Sequence, residues 1–482
     1  MQREAKITFN ADYTILPGFT YKGWASINMR TTKTRRFLPQ VVTGVAQNSE
    51  YANQSVDSYS DKLVLQTENK LMYIKNWNEK HNLIANALVR TSQQVSTSYL
   101  SSTYGNASSG LSDPTTGTAV LEGSAGMNSS EAETRSVSFI GLLNYTLLDR
   151  YVMHASLNAE GNSAMGRNKR MGYFPAAGIA WNLQNEPFLE AARDRWLDEA
   201  KIRISIGQSG RAPSGTSVYL GAYIKGDNYM NMAGTKPERM QLDDLHWETS
   251  TEYNYGADVM LFGGRLKFTF DYYQNKFSDV VATSEIKTAI LGNVYPRSNC
   301  EKYSYTGTEM VLTWQDRIRN FNYFINGNLS FEQSKFEYSP QLPKAYPWMS
   351  RLGDPVGMTY GYVADGIFQS QEEIDAYDAF LPSAVKSTIM PGDIRYKDLN
   401  GDHIIDIHDQ TNLGSKKAKG YYGISAGFNY RGFDFSVFAQ GTLNRQVYLN
   451  GDFMDGSGKS GEGAITSYVL GRWTPDNHTN TH

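Results

Sequence analysis

The stretch WETSTEYNYGADVMLFGGRLKFTFDYYQNKFSDV, residues 247–280, decides the fold. From Glu252 to Leu261 it alternates without a break. Tyr253, Tyr255, Ala257, Val259 and Leu261 share one face, and Glu252, Asn254, Gly256, Asp258 and Met260 the other. A two-residue period is the signature of a strand. Phe262-Gly263-Gly264-Arg265 then supplies a hairpin turn. The return segment sets Leu266, Phe268, Phe270 and Tyr272 against Lys267, Thr269 and Asp271. A face bearing Glu252, Asp258, Lys267 and Asp271 is too wet for a sandwich core, and it suits a water-filled or plugged lumen.

The same unit recurs along the chain. Phe321, Tyr323, Ile325, Leu329 and Phe331 oppose Asn322, Asn326, Asn328, Ser330 and Glu332. Ile424, Ala426, Phe428 and Tyr430 run to an Arg431-Gly432 turn, after which Phe433, Phe435, Val437 and Ala439 continue the apolar face. Near the start, Ile7, Phe9, Ala11 and Tyr13 turn at Leu16-Pro17-Gly18 into Phe19, Tyr21, Ala25 and Ile27. Several segments keep their alternation for about ten residues, the length a tilted membrane-crossing strand needs, whereas soluble strands average ~5–6. Aromatics near the strand ends fit the girdles of an outer-membrane barrel. The competing architecture is a large soluble β-sandwich or propeller with one solvated face.

Composition narrows the classes further. The 482 residues are 40% hydrophobic and 20% charged, with 32 Tyr, 21 Phe, 8 Trp and 43 Gly. No apolar run reaches the ~20 residues of a spanning helix, which excludes a helical membrane protein. A net charge of -3 argues against a nucleic-acid binder. The single cysteine, Cys300, excludes an internal disulfide framework and a Cys-based zinc site.

Connections alternate short and long. Tight turns are expected near 16–18, 147–150, 263–265, 315–320 and 430–432. Long polar stretches are expected at 28–60, 92–135, 208–248, 276–306, 332–420 and 441–482. That asymmetry is the habit of an outer-membrane barrel, with its long loops outside. The reading gives an all-β, transmembrane antiparallel β-barrel of about fourteen strands, occupying 1–482 as one partial barrel domain with 332–420 as a long extracellular loop region. Met1-Gln-Arg-Glu-Ala enters a strand with no signal peptide, and GRWTPDNHTNTH ends in polar sequence, so an interior piece of a longer protein is expected. Two helices are expected. One follows Asn185-Glu186-Pro187 through FLEAARDRWLDEA, and one opens at the capping box Ser370-Gln371-Glu372-Glu373.

At this point the residues resemble SusC/RagA-type TonB-linked outer-membrane receptors. The matching stretches are MGYFPAAGIAWNLQNEPFL (171–189), KIRISIGQSG (201–210) and the 247–280 hairpin. They continue with YGYVADGIFQSQEEIDAY (360–377), PGDIRYKDLNGDHIIDIHDQTNLG (391–414), NYRGFDFSVFAQG (429–441) and GRWTPDN (471–477). The resemblance implies an incomplete TonB-dependent receptor barrel, about fourteen of 22 strands. It implies a parent protein with a plug in its lumen, and the plug, the TonB-contacting segment and the terminal strands are absent from this sequence. The implied partners are a SusD-like surface lipoprotein, TonB through the parent's N-terminal part, the lipid bilayer, and an oligosaccharide or peptide substrate; no nucleic acid is implied. The competing functions are a TonB-dependent siderophore or cobalamin receptor, and a soluble β-rich glycan-binding protein or glycosidase.

One motif has metal-ligand spacing. Asp398, Asn400, Asp402, Asp406 and Asp409 stand at positions 1, 3, 5, 9 and 12 of an EF-hand-like loop, with the Ile404 carbonyl at position 7. Position 6 is His403 where such loops have Gly, and position 12 is Asp409 where they have Glu. The loop therefore reads either as a modest Ca2+ site or as an Asx-turn loop stiffened by its own hydrogen bonds. No cofactor is otherwise required. Gly456-Ser-Gly458-Lys-Ser-Gly461 lacks the strand-then-helix setting of a nucleotide loop. His478 and His482 sit in a polar tail, Ser209 lacks a nucleophile elbow, and Asp243-Asp244 reads as solvated loop acid. No catalytic constellation emerges, and transport is expected in place of catalysis. Tyr219, Tyr223, Tyr229, Trp247, Tyr346, Trp348 and Tyr360 stand in long loops, where aromatics either stack on sugars and dock a partner protein or pack the loops against one another; packing is the favoured reading, and none is assigned a binding role.

Overall fold

The computed structural model describes every residue except 44–48, 107, 109–111, 121–125, 194, 214–217, 231, 287–296, 379–387, 449–466 and 481–482. The glycine-rich stretch 456–461 and His482 lie outside the described residues.

Eight strands follow one another as β1 (Gln2–Leu16), β2 (Phe19–Leu38), β3 (Gln54–Trp77), β4 (His81–Thr103), β5 (Met127–Leu147), β6 (Tyr151–Asn162), β7 (Met171–Asn182) and β8 (Leu197–Arg211). A side hairpin, β9 (Ala222–Tyr229) with β10 (Met232–Arg239), precedes β11 (Glu248–Leu261), β12 (Leu266–Ala282), β13 (Ser298–Ile318) and β14 (Phe321–Tyr338). Four short strands lie in the next connection: β15 (Met358–Gly361), β16 (Ala364–Ile367), β17 (Ile394–Tyr396) and β18 (Thr411–Ser415). The wall resumes as β19 (Gly420–Tyr430) and β20 (Phe433–Leu443). One 14-stranded sheet results, ordered β1 to β8, β11 to β14, β19, β20, and each strand is antiparallel to its neighbour. The strand number and the all-β class are those the alternation implied.

Pairing is in register with the hydrophobic pattern. Tyr255 stands opposite Ile204 and Tyr272, while Gly256 stands opposite Arg203 and Asp271. Since directly opposed residues share a face, the two faces are carried from strand to strand, the one with Arg203 and Asp271 richer in polar side chains and the one with Ile204 and Tyr272 richer in apolar ones. The tight turns use residues with positive φ, including Asn78 and Glu79, Leu148 and Asp149, and Arg431 and Gly432. Two consecutive positive φ values match the twist of the flanking strands.

Three expectations are corrected. The strands are far longer than the alternation reached: β3 has 24 residues and β4 has 23. At ~3.3 Å per residue and a tilt of roughly 40°, such a strand rises about 60 Å, against ~30 Å of hydrocarbon. Much of 28–60 and 92–135 is therefore paired strand, standing clear of the membrane with both faces in water. The connection read as 332–420 runs from 339 to 419. The helix expected after Pro187 shrinks to a 3-10 turn and a four-residue α2 (Glu190–Arg193), because Leu197 to Ala200 pair with Val259 to Leu261 of β11. Another four-residue helix, α1, covers Gln40–Thr43. Helix α3 (Gln371–Ala376) does form, with the Ser370 side chain accepting from the Glu373 N–H.

Candidate functional site

The polar face of the wall is built by the register. Arg203 projects between β11 and β12, where its guanidinium donates to Asp271 at 2.6 and 2.7 Å, to Asp258 at 3.0 Å and to Asn254 at 3.3 Å. Thr269 donates a hydroxyl to Asp258 at 3.2 Å. Gly256 makes room for this cluster, since a Cβ there would sit 2.4 Å from the Arg203 guanidinium carbon. Further along the same face, Arg90 pairs with Glu68 at 2.6 Å, Arg30 with Glu4 at 3.1 Å and Lys22 with Asp12 at 3.5 Å. The Arg203–Asp271 pair is bidentate, two nitrogens to two oxygens, and such a pair fixes geometry as well as charge.

Toward the long-connection end, the polar face becomes aromatic. Phe277 stacks on Tyr303 with ring centroids 4.7 Å apart, and Tyr305 and Phe336 meet them edge-on. Tyr273 donates to Glu332 at 3.1 Å, and Lys417 reaches down from the 339–419 connection to the Tyr305 hydroxyl at 3.0 Å. The Tyr305 hydroxyl beside it raises the Lys417 ammonium above its ordinary value.

The described residues of the 339–419 connection fold as a crown with its own core. Phe368, Ile374 and Ile405 are buried, and Trp348 donates from its indole to the His408 carbonyl at 2.8 Å while stacking flat on Tyr346 at 4.6 Å. A later segment docks here too. Trp473 donates to Gln369 at 2.9 Å and lies against Gly392, where a Cβ would come within 2.8 Å of the indole and φ is 103°. Trp473 was not singled out in the sequence, because its partner is 104 residues away.

The oxygen-rich loop lies in this crown. Asp398 accepts from the Gly401 N–H at 2.7 Å and the His403 N–H at 2.9 Å, and His403 has φ of 64°. Asn400 and Asp402 accept from the N–H groups of Asp402 and Ile404. Asp406 accepts from the His408 N–H, and Asp409, wholly buried, accepts from Leu399 at 2.8 Å and Asp406 at 2.9 Å. Burial of Asp398 works to raise its pKa, but the His403, Gly401 and Asn400 N–H groups outweigh it and hold the carboxyl below the usual range. Every acid of the loop thus serves a backbone N–H. Among the described residues, no three His, Cys, Asp or Glu side chains are gathered as a metal set.

Trp247 packs edge-on against Phe174 at 5.4 Å over Met165, and Tyr219 packs with Leu245 and Val281. Tyr360 donates its hydroxyl to Asp354. Tyr223 is exposed on β9 of the side hairpin, and Tyr229 ends the same strand. Asp243 and Asp244 accept from the amides of Gln241 and Asn168, as ordinary loop acids do. Glu186, read from the sequence only as part of a helix start, accepts from Tyr151 at 2.8 Å and Trp181 at 2.9 Å and pairs with Arg150 at 3.3 Å, tying two neighbouring turns together.

Comparison with known proteins places this architecture. The family model described as TonB dependent receptor-like, beta-barrel matches residues 2–452. TonB-dependent receptor P26 of Formosa agariphila is 26% identical over 98% of this chain and 48% of its own length. TonB-dependent receptor P39 of the same organism is 25% identical over 91% of this chain and 44% of its own. TonB-dependent receptor SusC of Bacteroides thetaiotaomicron is 23% identical over 65% of this chain and 32% of its own. The chain thus spans less than half the length of these curated relatives. A structure of the RagAB peptide transporter superimposes with a TM-score of 0.76 at 18% identity, covering 99% of this chain and 52% of that one, a likeness of fold.

Proposed function

The chain belongs to the TonB-dependent receptor β-barrel family, of the SusC/RagA type and of the bacterial outer membrane, and from that premise we propose that its parent protein imports oligosaccharides or peptides. In this reading the polar face lines the lumen, the apolar face meets lipid, and the crown faces the exterior beneath a SusD-like surface lipoprotein. Energy would reach the barrel through TonB by way of parts of the parent outside this chain. The observation that carries the reading is the polar face at β8, β11 and β12, with Arg203, Asp258 and Asp271 held in fixed ion pairs on strands whose opposite face is Ile202, Ile204, Val259 and Phe270. Such a wall is a conduit, and its chemistry is binding and passage.

The test begins with fractionation of the full-length protein and SDS gels with and without boiling. Outer-membrane recovery with a heat-dependent mobility shift is expected. Uptake of labelled oligosaccharides and of labelled peptides is then measured in cells with and without the gene, and with and without TonB. Uptake of either class that needs both supports the proposal. A soluble protein, or uptake of neither class, overturns it.

We also propose that the 398–409 loop takes Ca2+ through Asp398, Asn400, Asp402, the Ile404 carbonyl, Asp406 and Asp409. The support is the oxygen spacing, with side-chain oxygens at positions 1, 3, 5, 9 and 12 and a backbone carbonyl at position 7. Isothermal titration of the full-length protein should give calcium heat that vanishes in the Asp398→Ala, Asp402→Ala variant. Equal heats in the two proteins would reject the site and leave the Asx-turn loop.

A further inference from the structure

On the apolar face of β12 the side chains run Leu266, Phe268, Phe270 and Tyr272 and then change character at Gln274 and Lys276. The neighbouring strands change at the same height. On β13, Leu312 and Met310 give way to Thr306, Ser304 and Lys302; on β14, Leu329 and Phe331 give way to Gln333 and Lys335. The register brings the cations together, since Lys276 stands opposite Ser304, and Ser304 stands opposite Lys335. Lys276 and Lys335 are therefore two strand spacings apart, about 10 Å, and Lys302 is about 7 Å along β13 from the residue between them. All three lysines are exposed.

Their partners leave charge to spare. Lys335 lies 3.7 Å from Glu337, which also accepts from the Ser304 hydroxyl at 2.8 Å. Lys276 sits 5.7 Å from the centre of the Tyr253 ring. Among the described residues, no carboxylate pairs with Lys276 or Lys302. Beside them is a concavity of about 740 Å³, with Pro175, Ala177 and Ile206 on its apolar side and Gln208, Thr251 and Gln274 on its polar side. Three lysines against one glutamate, directly above a lipid-facing belt, form a cationic shelf at headgroup depth. Each exposed basic side chain at a membrane surface contributes about 1 kcal/mol of attraction to anionic lipid.

We propose that this shelf on the outer face of β12 to β14 binds the phosphate of an anionic lipid headgroup in the leaflet on the long-connection side, with Tyr253 and Ile206 against its chains. The apolar residues beside the lysines, Pro175 level with Lys276 and Ile206 level with Gln274, favour a lipid over a free anion, because a dissolved phosphate has no use for either. The inference rests on the long connections facing the exterior.

The test uses the full-length receptor in mixed micelles of a neutral detergent and a phosphorylated glucosamine-disaccharide lipid, with bound lipid counted by native mass spectrometry. The phosphorylated lipid should be retained on the order of tenfold better than its phosphatase-treated counterpart. The Lys276→Gln, Lys302→Gln, Lys335→Gln variant should lose that difference, and the matching triple Lys→Arg variant should keep it. Equal retention of the two lipids, or equal retention by the wild type and the Gln variant, overturns the proposal. Millimolar inorganic phosphate that displaces the lipid and binds alone with the same lysine dependence would overturn it in favour of a phosphate site. Each variant is checked for the heat-dependent gel shift. Loss of that shift in the wild type would break the barrel reading, and an intact shift with unchanged lipid retention breaks this inference alone.

Discussion

On β8 of the wall, Ile202, Ile204 and Ile206 are 44 to 45% exposed, whereas in the crown Phe368, Ile374 and Ile405 are each 2% exposed. Both sets are large and apolar, but they have different solvents. The wall leaves its isoleucines for hydrocarbon to cover and holds itself together by backbone ladders and by ion pairs on the polar face. The crown stands in water, so it must bury its own side chains, and the described residues of the 339–419 connection close around a small core and a buried Asp409. Two stability regimes in one chain follow. The wall should respond to what touches lipid, and the crown to what fills its core.

The largest expected effect tests the crown. Phe368→Ala should cost about 3–5 kcal/mol locally, read as faster hydrogen exchange across 358–415 with the heat-dependent gel shift intact. Faster exchange in the wall strands as well would break the separation. Next, the same charge placed on the two faces of β8 sharpens it. Ile204→Arg should cost roughly 2–4 kcal/mol in lipid, while Ser205→Arg one residue on should cost roughly 1 or less, as measured by denaturant unfolding in vesicles. Equal costs would mean the faces are misassigned.

Smaller effects probe the loop acids. Asp409→Asn leaves an amide N–H₂ facing either the Leu399 or the Asp406 N–H, at a cost of about 1–3 kcal/mol, visible as lost exchange protection at 399–409 alone. The smallest is the pH response of Asp398. Its carboxyl is depressed in the fold, so its contribution is present above the ordinary carboxylate range and fades as pH falls through the depressed value. Exchange at Gly401 and His403 should therefore quicken in acid, after intrinsic rates are divided out. Protection that instead grew in acid would contradict the hydrogen bonds assigned to Asp398.

Legibility in the sequence followed the same division. The wall could be read wherever lipid wets one face, as at 252–272 and 424–439, because one apolar face and one polar face force a two-residue period. It could not be read at 28–38, 54–62 or 92–103, where both faces are in water and TTKTRR or SQQVSTSYLSST carries no period, although β2 to β4 pair there without interruption. The segment after Pro187 had helical spacing, yet its last residues were claimed by β11. In the crown, α3 was legible because a capping box is local; the Trp473 contact with Gln369 was not.

By itself the sequence determined which side chains meet lipid and which meet the lumen, since a strand's period assigns faces residue by residue. It also determined the tight turns near 16–18, 147–150, 263–265, 315–320 and 430–432, though not the one at Asn78-Glu79, and the family to which the chain belongs. Only the tertiary structure decided how far the strands rise beyond the membrane, how the acids at 398–409 are used, and which lysines share a shelf. Those depend on pairing between segments distant in the chain, and no local pattern records a partner that lies on another strand.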